Sequence, residues 1–218
     1  MLDALQTHLT DIYRVERGYD VRDFLITDPL LARLIGNGAL LANTPETLLM
    51  AQDDDGLSLS LFLDAGMLER LETADPLTRL QASQLADFWT VLEGISHFNC
   101  VVWKAAEDRA VSLLELEMQA EVDKFVSTVL LALEQGDGDL MHRLHGWLFD
   151  EVAYREDLDA EQLERYRAAN EFAARFCRGL HRQLIDEDAG ALAALRQFYR
   201  MQLRDKISYI QSRTWGTA

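Results

Sequence analysis

Glu93 and His97 stand four residues apart, as do Glu117 and Glu121, and on helices that spacing puts each pair on one edge, one turn apart. An imidazole and three carboxylates are the donor set of a divalent cation site, provided two helices bring the pairs together. Everything then depends on the elements that hold them.

The stretch Leu113–Phe125, "LLELEMQAEVDKF", contains Glu115, Glu117, Glu121 and Asp123 in a strongly helical run. With Met118 set at zero and 100° per residue, Leu114, Val122, Phe125, Val129 and Leu133 fall within about 60°, defining an apolar face. Glu115 and Glu121 lie about 60° to either side, Glu117 about 100° round, and Asp123 nearly opposite. Ser112 followed by Glu115 has the form of a capping box, which assigns Glu115 to the helix start. The preceding helix places His97 at about the height of Glu121 if the two run antiparallel. Its angles disagree: relative to Leu92, Glu93 points about 100° and His97 about 140° away from the partner. The expectation is a solvated helix edge, with no metal, cofactor or catalytic residue, and Glu93, His97, Glu117 and Glu121 are kept as the alternative metal site. The Glu-x-x-His motif of di-iron carboxylate bundles does not occur.

Other chemistry-bearing residues are sparse. His142 and His145 in "HRLH" could share an ion with Asp139 or Asp150, but no further ligand has a diagnostic spacing, and an exposed pair is expected. His8 and His181 are isolated. Cys100 and Cys177 lack a CxxC or a ligand-spaced histidine and read as buried, reduced thiols. Arg175 and Arg178 flank Cys177 but are expected to face water. There is no G-x-S-x-G, no Walker A run and no Gly-x-Gly-x-x-Gly.

Composition limits the partners. The 218 residues are 49% apolar, enough for a sizeable core, and 37 acidic residues against 21 basic ones give a formal charge of −16. Such a charge disfavours nucleic acid and anionic lipid, and favours a protein partner with a basic surface. No export signal or span-length apolar run is visible, so a cytoplasmic protein is expected. Against this background residues 191–218 carry five basic residues and one acidic one. Arg196, Arg200 and Arg204 form an i,i+4 stripe beside Leu195, Tyr199, Leu203, Ile207 and Ile210, an amphipathic helix expected to dock on the acidic body or, alternatively, on a partner.

The fold class expected is mainly α: a bundle of about four long helices over 76–218, with a small N-terminal α+β portion over 1–75, the two forming one continuous globular unit. Asp28-Pro29 and Asp75-Pro76 each open a helix, Gly36 offers a left-handed stop, and "DDDG" turns a hairpin near 47–63. A lone hairpin needs a cover, which helices, a further strand or a second copy of the chain can supply, so homodimerisation through it is open. The function expected is protein–protein interaction as scaffold, adaptor or regulator, with a metal-binding bundle enzyme or sensor as the alternative.

Overall fold

A computed structural model describes residues 1–36, 44–53, 56–186 and 188–212. The protein is mainly α, about 70% helical, with a three-stranded sheet in its N-terminal part. Helix α1 (Leu2–Tyr13) buries Leu2, Leu5, Leu9, Ile12 and Tyr13 and stops at Arg14 in the left-handed conformation. An Asp20-capped turn leads to strand β1 (Leu25–Ile26). Helix α2 (Pro29–Ile35) starts as its Asp28-Pro29 pair dictates, with Asp28 accepting from Leu30 N–H at 2.8 Å. Gly36 has φ −73°, so the expected left-handed stop is not used; its N–H reaches back to Ala32 instead.

Strands β2 (Glu46–Asp53) and β3 (Gly56–Leu63) form the expected hairpin, with Asp54 and Asp55 of its turn outside the described residues. β1 adds in parallel to the other side of β3, giving the order β1-β3-β2. Only one end of the hairpin is covered. Leu57 is exposed, whereas Leu61, Phe62 and Leu63 are buried, because that end lies on a helix. Glu46 pairs with Leu63 in register and is carried into the interior with it.

Helix α3 (Ala65–Thr73) begins at the Asp64 cap. Asp75-Pro76 makes only a turn, contrary to the expected helix. The cause is long-range: Gln135 accepts from Leu80 N–H at 2.7 Å and donates to the carbonyls of Pro76 and Leu77, holding this segment as a loop. Helices α4 (Leu85–Ala106), α5 (Leu113–Gln135) and α7 (Ala160–Ile185) are the three longest. Short α6 (Gly138–His145) runs into a π turn between the last two. α4 and α7 pack along α5, and their apolar faces meet around Phe88, Leu92, Ile95, Val122, Phe125 and Phe176.

The fourth long helix is broken into α8 (Ala189–Arg200) and α9 (Leu203–Ser212) by an extended Met201. The carbonyls freed at the break are satisfied: Arg109 donates to Arg200 at 2.8 Å and Lys104 to Met201 at 3.3 Å. The break interrupts the arginine stripe. Arg196 donates to the Ile12 carbonyl and Arg200 to that of Arg14, both at 2.9 Å, so two of the three arginines bind the C-terminal end of α1. Arg204 lies beyond the break and is exposed. Among the described residues no helix is long and apolar enough to cross a membrane.

Candidate metal centre

The angular expectation for α5 fails at its polar residues. Asp123, placed nearly opposite the core, is buried and accepts from Tyr13, from Ser96 at 2.5 Å and from Gln119 at 2.8 Å. Glu115 does not complete a capping box. Ser112 does accept from Glu115 N–H, but the Glu115 carboxylate is 2.7 Å from Lys104 and 3.3 Å from Lys206. Lys206 also donates to Gln119 at 2.9 Å. Two ammonium groups therefore face two carboxylates in a network whose hydrogen bonds join α1, α4, α5 and α9. Its charges balance, and it has the form of a satisfied structural core.

The second polar edge of α5 differs. Glu93 and His97, expected to point away, converge with Glu117 and Glu121, and Lys124 and Glu46 join them. Lys124 Nζ lies 2.8 Å from Glu93 Oε2 and 2.7 Å from Glu121 Oε1. His97 Nδ1 is 3.6 Å from Glu46 Oε1, and its Nε2 is 3.7 Å from Glu117 Oε2, both longer than a hydrogen bond. Among the described residues neither His97 Nε2 nor Glu46 Oε1 has a hydrogen-bond partner, although both residues are only 8% exposed. One donor atom each from Glu46, Glu93 and His97 lies within 4.8 Å of the others. Ligands about 2.2 Å from a common ion stand at most about 4.4 Å apart, so small side-chain rotations would close the set.

Charge separates this cluster from the first. Four carboxylates have His97 and Lys124 as their ion-pair partners among the described residues, which leaves an excess of two negative charges even with the imidazole protonated. Buried charge without compensation is expensive, so the groups take up protons or a cation. Burial raises the pKa of Glu46 and Glu121 against the pull of His97 and Lys124 respectively. Burial also lifts Glu117 to about 7, where His97 opposes the rise and Glu93 and Glu46 add to it. His97 goes the other way from its own desolvation: burial lowers its pKa, but Glu46, Glu117 and Glu93 outweigh that and bring it to about 9. Glu93 is lowered despite burial, because Lys124 and His97 are close.

Gly94 makes the meeting of sheet and helix possible. A Cβ there would stand 3.0 Å from Glu46 Cγ and 3.0 Å from Leu61 Cδ1. The site opens on a cavity of about 500 Å³ bordered by Glu46, Glu93, His97 and Glu117, with Leu48, Met50, Leu116 and Leu158 as apolar wall and Tyr154, Arg155 and Tyr166 from the α7 side. That is the size and lining of a small-molecule pocket.

Glu46 has no sequence signal beyond opening a strand, so its part in the cluster was not legible. The remaining candidates do not assemble. His145 Nε2 lies 3.2 Å from the Ala174 carbonyl, His142 is exposed, and neither belongs to a three-ligand group among the described residues. Cys100 and Cys177 are buried free thiols whose pKa is raised by burial, Cys100 to about 11, and Arg175 pairs with Glu171. Comparison with known proteins returns no matching family, curated protein or solved structure.

Proposed function

We propose that the protein is a helical-bundle metalloprotein, an enzyme or sensor, that binds a divalent cation through Glu46, Glu93, His97 and Glu117 at the inner end of a small-molecule cavity. The observation that carries this reading is that the buried His97 Nε2 and Glu46 Oε1 have only long ion-pair contacts and no hydrogen-bond partner among the described residues, within a cluster that has two more carboxylates than cationic partners there. A structural polar core would be expected to balance its charges and satisfy its donors, as the network of Lys104, Lys206, Glu115 and Asp123 does. One imidazole with carboxylate oxygens suits iron(II), manganese(II) or zinc better than copper(I), which prefers sulfur. The ion would polarise an oxygen of a molecule in the cavity.

Protein stripped with chelator and titrated with manganese(II) is expected to take up about one equivalent, with binding lost in His97→Ala and Glu46→Gln. Uptake equal in wild type and both variants, or no uptake of manganese, iron or zinc, refutes the assignment.

A second reading, docking of another protein or of a second copy, draws on a different surface. Leu30, Leu31, Leu34 and Ile35 of α2 are all exposed, as is Leu57 of the hairpin. Clustered apolar exposure of this kind favours a partner. A sedimentation run showing only monomer at micromolar concentration removes the homodimer from this reading.

A further inference from the structure

We propose that Lys124 occupies the position of a second cation, so that the centre holds one metal ion and one ammonium group sharing the Glu93 carboxylate. The inference rests on the metal reading above and adds what sets the number of ions.

Lys124 sits on α5, is 8% exposed, and sends Nζ between Glu93 of α4 and Glu121 of its own helix. Its two carboxylate contacts, at 2.8 Å and 2.7 Å, are those of a cation held by oxygen ligands from two elements. Glu93 takes part in both: one of its oxygens lies within 4.8 Å of donor atoms of Glu46 and His97, and its Oε2 is 2.8 Å from Lys124 Nζ. In two-metal sites a carboxylate in this place joins ions about 3.5–4 Å apart. Here one of the two cation places is filled by a covalently attached ammonium group that cannot leave.

Charge gives the same division. Glu46, Glu93, Glu117 and Glu121 supply four negative charges, and two divalent ions would neutralise them in full. With Lys124 present, one divalent ion leaves a single excess negative charge. A second divalent ion beside Lys124 would make the cluster net positive in a desolvated place, an unfavourable state. Lys124 thus acts as a specificity-determining residue for ion number, and Glu121 is its partner rather than a ligand.

The test is manganese(II) binding followed by metal analysis and electron paramagnetic resonance on wild type, Lys124→Ala and Glu121→Gln. Wild type is expected to bind one ion with a mononuclear spectrum, and Lys124→Ala two, with the broadened spectrum of a coupled pair. Glu121→Gln, which keeps the fold's volume, is expected to bind one ion within about threefold of the wild-type affinity, whereas loss of a true ligand or its support costs about 10- to 100-fold or more. One ion in both wild type and folded Lys124→Ala overturns this inference alone, as does a large loss of affinity in Glu121→Gln. Should Lys124→Ala not fold, the Glu121→Gln result decides. A wild type that binds two ions overturns the inference but keeps the metal centre, and one that binds none overturns both.

Discussion

Gly94 of α4 lies under the side chain of Glu46 so closely that a methyl group on its Cα would stand 3.0 Å from Glu46 Cγ. Glycine inside a long helix costs about 1 kcal/mol relative to alanine. At this position its lack of a side chain lets the buried end of the hairpin reach the helix and deliver a carboxylate to His97. Gly94→Ala is therefore expected to gain helix propensity but push Glu46 and Leu61 outward. Metal affinity should fall by at least about tenfold while the fold persists. Isothermal titration with manganese(II) checks this, and unchanged affinity would show that the approach is not needed.

The metal-free protein is expected to lose stability as pH rises. His97 titrates at about 9 in the folded chain against 6.5 for an ordinary imidazole. A folded pKa raised in this way gives stability that is fully present below about 6.5 and is lost as pH climbs through 9, on the order of 3 kcal/mol. Glu117, raised from 4.5 to about 7, acts with the same sign in a lower window, losing its contribution as pH rises toward 7. A bound divalent ion replaces those protons, so its stabilising effect should grow over the same range. Thermal melts with chelator and with metal, at about pH 6 and about pH 8.5, measure both trends, and a chelated sample equally stable at the two values contradicts them.

Removing Glu115 should damage the fold and spare the metal centre. Its carboxylate is the common partner of Lys104 and Lys206, both fully buried. Glu115→Ala leaves two buried ammonium groups without the carboxylate they share, and breaking a buried pair in this way costs about 3–5 kcal/mol. Urea unfolding is expected to show that loss, while any molecules still folded bind metal at wild-type affinity.

Arg196→Ala is expected to loosen the start of the chain. Its guanidinium donates to the Ile12 carbonyl at the end of α1, a helix with no basic residue in its last turn. Loss of a charged donor at a helix C-terminus costs about 1 kcal/mol, and amide exchange should quicken first in residues 2–13. If exchange there is unchanged and a protein partner is lost instead, the arginine stripe acts outward.

Local chemistry made much of the architecture legible. Asp28, Asp64, Ser112 and Asp159 cap their helices as their positions imply, and Gly136 ends α5 in the left-handed conformation. Leu85, Phe88, Leu92, Ile95 and Val102 are buried at helical spacing. The hairpin forms where alternating leucines flank "DDDG". Failures occur where a distant residue intervenes. Gln135 holds the chain after Pro76 out of a helix, and side chains of Lys104 and Arg109 take the carbonyls at the Met201 break.

The sequence by itself determined many of the helix and strand boundaries, because caps, turns and apolar period act over a few residues, but not the loop after Pro76 or the break at Met201. It also singled out Glu93, His97, Glu117 and Glu121 by type and spacing as an alternative metal site, and missed Glu46. Only the tertiary structure decided where those side chains face. Helical angle separates apolar from polar but says nothing about what lies beyond the polar side. α5 is packed by α4, α6 and α7 and touched by α1, so its polar edges meet protein instead of water. Glu46 comes from a hairpin some fifty residues before its partners on α4, and no spacing rule spans that distance.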